Sequence, residues 1–149
     1  MKTTILGLLT ALMLAPTLKA GTPEQEKAFT DRYKNAYEAK DTATLNSFLY
    51  TENASPMALE FYKMMMTNGL GDKISKIELV DLTPEDVKKA AETMDGPGGS
   101  KMKLPLKPTK KLKITIEHKD SNGSSSSTSE SFVAEKDGRL VIPVPVDVK

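Results

Sequence analysis

The sequence predicts an α+β domain, with N-terminal helices packed on a mostly antiparallel four-stranded sheet. Three observations predict it. Helix-start signals followed by apolar stripes at three- and four-residue spacing fill residues 22–71. From residue 73 onward β-branched residues appear with partial and then regular alternation. An Asp-Gly pair at 137–138 then joins two apolar runs, as a tight hairpin turn requires.

The first helix starts at Thr22-Pro23-Glu24-Gln25, a cap residue, a proline at the first helical position and a glutamine three residues on, which together satisfy amide donors left open at a helix start. Phe29, Tyr33, Ala36 and Tyr37 form its apolar stripe. Asp41 caps a short second helix that turns Leu45, Phe48 and Leu49 inward. Ser55-Pro56 opens a third, whose core stripe is read as Met57, Phe61, Met64 and Met65 and which Gly69 and Gly71 end. Residues 73–82 read as a strand, Thr83-Pro84-Glu85-Asp86 opens a brief helix, and 95–100 form a glycine-rich loop. Leu112, Ile114, Ile116 and His118 alternate with Lys113, Thr115, Glu117 and Lys119, giving one apolar and one charged face. A serine-glycine linker over 120–127 turns the chain back to Phe132–Glu135, and the run 140–146, with Pro143 and Pro145 lacking amide donors, reads as an edge for much of its length. Phe29, Tyr33, Phe61, Ile114, Ile116 and Phe132 are expected in one core.

Residues 1–20 read as a cleavable signal peptide. Lys2 is followed by an uncharged apolar run over 5–15, Pro16, and a small residue at Ala20. The apolar run is about half of the roughly twenty residues a spanning helix needs. Export to the periplasm or the extracellular space is the expectation, with residues 21–149 forming a single domain that is flexible near 95–110 and 120–128. The chain contains no cysteine, which excludes disulfides, thiolate metal sites and thiol nucleophiles. The formal net charge is +1. Such balance excludes an obvious nucleic-acid partner. The charges are nonetheless uneven, with residues 21–99 rich in acids and residues 100–149 rich in lysine.

The first helix ending in Ala36-Tyr37-Glu38-Ala39-Lys40-Asp41, the short second helix with Leu45 and Phe48, and the segment Phe132-Val133-Ala134-Glu135-Lys136-Asp137-Gly138-Arg139-Leu140 together resemble the nuclear-transport-factor-2-like superfamily. That superfamily includes ketosteroid-isomerase-like and polyketide-cyclase-like domains, and the resemblance covers nearly all of residues 23–147. It implies a cone-like fold: a curved sheet wrapped around the first helix, with an apolar pocket at its wide end. It implies no single activity, because members serve as enzymes, ligand binders and dimeric scaffolds, so a dimer is within its range.

Candidate chemistry is sparse. His118 is the sole histidine and so the sole side chain whose ordinary pKa lies near neutrality. By the resemblance, a pocket base and a hydrogen-bonding tyrosine would here be His118 or Asp81 with Tyr33 or Tyr37. The competing reading is structural: His118 ends a strand beside the serine run, Asp81 closes another, and both tyrosines lie on a core stripe. One histidine, no cysteine and scattered carboxylates offer no metal site, and no cofactor motif is present. No Gly-x-Ser-x-Gly elbow supports a serine hydrolase.

Two further features bear on partners. Met64-Met65-Met66 are flexible and polarizable, suited to core packing or to an adaptable apolar pocket. Lys101, Lys103, Lys107, Lys110, Lys111 and Lys113 run without an intervening acid, which allows weak electrostatic contact with an anionic envelope surface. No aromatic residue accompanies them for base stacking. The expected function is a non-catalytic exported domain that binds a small apolar ligand or a protein partner. The alternatives are an isomerase- or cyclase-like enzyme, and an envelope-associated protein held by its lysines.

Overall fold

A computed structural model describes residues 21–149, and the signal peptide read from residues 1–20 lies outside the described residues. Helix α1 (Pro23–Glu38) carries the expected reciprocal cap, in which the Gln25 amide donates to Thr22 Oγ1 and the Thr22 amide to Gln25 Oε1, each at 3.3 Å. Its buried face is the predicted stripe of Phe29, Tyr33, Ala36 and Tyr37. Asp41 caps α2 (Thr42–Asn46) by accepting from the Thr44 amide at 3.0 Å, which directs Leu45 into the core. A two-residue strand β1 (Leu49–Tyr50), helix α3 (Pro56–Thr67), strand β2 (Lys73–Asp81) and helix α4 (Pro84–Ala91) follow. The chain then forms β3 (Met94–Asp95), a 3-10 turn at Pro97–Gly99, β4 (Lys101–Lys103), β5 (Pro108–Asp120), β6 (Gly123–Lys136), β7 (Arg139–Pro143) and β8 (Val146–Asp147).

Two sheets result. The larger has five strands in the order β1-β7-β6-β5-β2, parallel between β1 and β7 and antiparallel elsewhere. The smaller is antiparallel in the order β3-β4-β8. This overturns the expectation of one curved, cone-like, four-stranded sheet. The five-stranded sheet is open, because β1 and β2 end it on opposite sides and do not pair with each other. Wrapping it around the first helix would need apolar residues along the whole hairpin β5–β6. α1 instead packs on β2 and β7, and the outer half of β6 presents exposed Ser124–Glu130.

That outer half corrects a second expectation. The serine run is part of the ladder and not a linker: Ile116 faces Ser127, His118 faces Ser125, and the turn is only Ser121-Asn122. The run 140–146 is open on one side along its length. Strand β7 stands between β6 and β1 in the strand order, but Arg139–Val141 pair only with β6 and Ile142–Pro143 only with β1, where the Ile142 amide donates to Phe48 O at 2.8 Å and that of Val144 to Tyr50 O at 3.1 Å. Pro143 is tolerated because pairing with β6 ends at Val141, so its missing amide leaves no gap in the ladder. The Asp137-Gly138 turn has the positive φ values, 51° and 74°, of the predicted tight hairpin.

The core gathers Leu45, Ile74, Leu112, Val133, Ile142 and Val144, all essentially sealed from water. Phe29 meets Phe48 edge to face at 4.9 Å, with Tyr33 beside them. Ile114 is buried as expected, whereas Ile116 and Phe132 are half-buried and Phe61 lies outside the core, 55% exposed.

Candidate functional site

Helix α3 sets the site. It is apolar nearly all round, so two faces compete for burial, and the face that wins carries Ala58 and Met66 with Leu59 and Tyr62 partly covered. The face predicted to be core is turned outward: Met57 is 52% exposed, Phe61 55% and Met64 62%. These side chains overhang a groove of about 650 Å³ between α3 and the small sheet. Met94 and Met102, directly opposite each other on β3 and β4, line the groove together with Pro97 and Pro145. Its two acids are neutralised locally, Glu60 by Lys63 and Asp95 by Lys101. The groove is therefore apolar, methionine-rich and without an unpaired charge on its lining. Burial holds the phenol of Tyr62, also in the lining, above its usual pKa.

The titratable candidates lie elsewhere. Tyr33 is buried against Phe48, and burial pushes its phenol far above the usual range. Asp81 is exposed and bound to Lys110 at 2.7 Å, whose ammonium holds the carboxyl below its usual value. His118 and Tyr37 do come together, around Gly69. A Cβ placed on Gly69 would stand 2.9 Å from Tyr37 Oη, 3.1 Å from Asp72 Oδ2 and 3.6 Å from His118 Cε1. Glycine, with φ of 74° and no Cβ, is what lets the backbone approach all three side chains. The tyrosine hydroxyl is moreover committed to Asn68 O at 2.5 Å.

His118 completes a chain that sequence reasoning missed because Asp72 lies 46 residues away. Its Nδ1 is 2.9 Å from Asp72 Oδ2 and its Nε2 is 3.0 Å from Ser127 Oγ, the atom order of a serine-histidine-aspartate relay. A relay becomes a hydrolase only with a cleft and donors for an oxyanion. The nearby depression is lined by Glu117, Lys119 and Ser124–Ser126, mostly residues that alternate to the opposite face of the hairpin from His118 and Ser127. The chain Asp72–His118–Ser127 thus fastens the loop after α3 to the hairpin β5–β6. Period-two alternation from Ile116 placed His118 on the correct face, and only the register could add Ser127.

The lysine segment is partly structural. Lys101 and Lys103 lie in β4, and Lys101 binds Asp95. Lys110 bridges Asp81 and Glu26, Lys111 bridges Asp86 and Glu130 at 3.0 Å each, and Lys113 reaches Glu130 at 3.6 Å. Asp86 doubles as the N3 partner in the cap of α4. The backbone amide of Thr83, aided by the Lys111 ammonium, brings its carboxyl down to about 2. No helix among the described residues is long and apolar enough to cross a membrane. Among the same residues, no group of three or more His, Cys, Asp or Glu side chains is placed to hold a metal ion.

No protein-family model matches the chain, and no curated protein does. Among solved structures, the helical cell shape determining protein Pgp2 from Campylobacter jejuni shows a distant, partial likeness, with 15% identity and a TM-score of 0.40. It covers 79% of this chain, which spans only 37% of that protein. A likeness so slight assigns this chain no function.

Proposed function

We propose that the protein is an exported, non-catalytic domain of the nuclear-transport-factor-2-like kind that binds a small, neutral, apolar molecule in the groove between α3 and the small sheet. The observation that carries this reading is the outward face of α3. Met57, Phe61 and Met64 leave a large apolar area in water on a helix that has a second apolar face for the core. Thioethers and an aromatic ring adapt to varied apolar shapes, and a volume of about 650 Å³ accommodates a drug-sized molecule. With Glu60 and Asp95 already paired, an ionic ligand would find no unpaired charge on the lining. The isomerase- or cyclase-like alternative has less support, since Tyr33 and Asp81 lie apart from His118, the Tyr37 hydroxyl is committed to Asn68 O, and His118 is held by Asp72 and Ser127. Export rests on the character of residues 1–20.

Titration with the neutral fluorophore N-phenyl-1-naphthylamine tests the reading. Saturable one-to-one uptake is expected, weakened about 5- to 30-fold by Phe61→Ser, which corresponds to roughly 1–2 kcal/mol of lost apolar contact. No saturable uptake, or equal uptake by the variant, would remove the groove as a ligand site.

A further inference from the structure

A second cleft, away from α3, carries an independent inference. Arg32 and Arg139 are the two arginines of the chain, every other basic residue apart from His118 being lysine, and both line one cleft of about 620 Å³. It is bounded by α1, the Ser47–Glu52 segment and the β6–β7 turn. Where the fold needs ion pairs on its sheet it uses lysine, at Lys110, Lys111 and Lys113. Neither arginine has a carboxylate within 4.0 Å among the described residues, although Arg32 is near enough to Asp41 to contribute to holding that carboxyl below its usual value, after the Thr44 hydrogen bonds.

Arg32 is already oriented. Its guanidinium lies 5.1 Å from the centre of the Phe48 ring, and its Nη2 donates to Ser47 Oγ at 3.1 Å. Ser47 Oγ can only accept that bond, because its own proton goes to Thr44 O at 2.6 Å. The remaining N–H donors of Arg32 have no side-chain acceptor among the described residues. Two acids also line the cleft, Glu52, whose Oε2 accepts from the Tyr50 hydroxyl at 2.5 Å, and Asp137 in the hairpin turn; neither forms an ion pair with an arginine, and with Lys136 the positive charges of the lining outnumber the negative ones by three to two. Lys136 adds a third positive charge without an ion-pair partner among the described residues. Phe29, Leu49, Leu140 and Val141 give the same cleft an apolar wall.

A guanidinium presents a planar fork of donors that matches the two oxygens of a carboxylate, which a lysine ammonium cannot do. We propose that this cleft binds a small organic carboxylate, its two oxygens held by Arg32 and Arg139 and its apolar body laid against Phe29, Leu49 and Leu140. The site is separate from the α3 groove, so either assignment can fail without the other.

The test is titration of the purified protein with 1-naphthoate and with its neutral counterpart 1-naphthamide, followed by amide chemical shifts in NMR. The naphthoate should bind saturably, with shifts at the Ser47–Glu52 segment and the β6–β7 turn, at least about tenfold tighter than the amide. That is the scale of one charge-assisted hydrogen bond. Arg139→Lys, which keeps the charge and removes the fork, should weaken naphthoate about tenfold, and Arg32→Lys should do the same. Phe61→Ser, in the other groove, should leave it unchanged. If Arg32→Lys disturbs packing on Phe48, Arg139→Lys at the exposed turn carries the test alone. Absence of saturable naphthoate binding, equal affinity for the amide, equal affinity in Arg139→Lys, or inorganic phosphate binding as tightly as naphthoate would each overturn the proposal.

Discussion

Phe61→Ala and Leu112→Ala, made in parallel, test the orientation of α3 most directly. Both residues are large and apolar, and the sequence places each on an apolar stripe of its element. Leu112 is 1% exposed in the core, whereas Phe61 is 55% exposed at the groove. Truncating a sealed leucine removes its transfer free energy and leaves a cavity, so Leu112→Ala should cost about 2–5 kcal/mol. Phe61 has less than half of its surface to lose and leaves an open notch that water fills, so no cavity penalty applies. Full burial of a phenylalanine contributes up to about 3 kcal/mol, which puts Phe61→Ala near or below about 1.3 kcal/mol. The described domain has 129 residues. At this size each kcal/mol moves Tm by roughly 4 °C, so the expected drops are about 8–20 °C for Leu112→Ala and no more than about 5 °C for Phe61→Ala. Urea unfolding at pH 7 followed by circular dichroism, with thermal scans as a second readout, measures both. A loss above about 3 kcal/mol for Phe61→Ala would mean that α3 buries the opposite face, and the groove reading would go with it.

Other consequences are equally concrete. Asp86, with its carboxyl lowered to about 2, contributes stability that is fully present above its unfolded value near 4 and is lost as pH falls toward 2. Wild type should therefore lose more of its urea midpoint between pH 6 and pH 2.5 than Asp86→Asn does, and parallel losses would exclude Asp86 as a source of the acid sensitivity. Gly69→Ala should cost about 1–3 kcal/mol, combining the left-handed backbone with displacement of the Tyr37 and Asp72 contacts, and an unchanged Tm would show that the Gly69 cradle is loose. Protein recovered from the envelope or the medium should have an intact mass lacking about the first twenty residues, and a mass retaining Met1 would remove the signal-peptide reading.

Much of the local structure was legible because it is written in short-range chemistry. The caps at Thr22, Asp41 and Thr83, the stripe of α1, strand β2, the alternation along β5 and the Asp137-Gly138 turn each depend on residues within a few positions of one another. The candidate site was less legible. Apolar residues at 57, 61 and 64 and at 58, 59, 62 and 66 both satisfy a helical period, and the moment of α3 cannot choose between two apolar faces. The choice is made by what packs on the helix. Ala58 and Met66 join the core, while the small sheet leaves room beside Met57, Phe61 and Met64.

By itself, then, the sequence determined the α+β class, the starts of most helices, the face of β5 that carries His118, and the absence of any thiol chemistry. Only the tertiary structure decided that the sheet stays open, that the serine run is a strand, and that β7 passes from pairing with β6 to pairing with β1. It also brought Asp72 to His118 across 46 residues, and Arg32 and Arg139 to one cleft. The physical reason is range. Capping, periodicity and turn chemistry act within a few residues and can be read along the chain. Sheet order and cross-strand register are set by which distant apolar surfaces exclude water together, and no local pattern specifies that pairing.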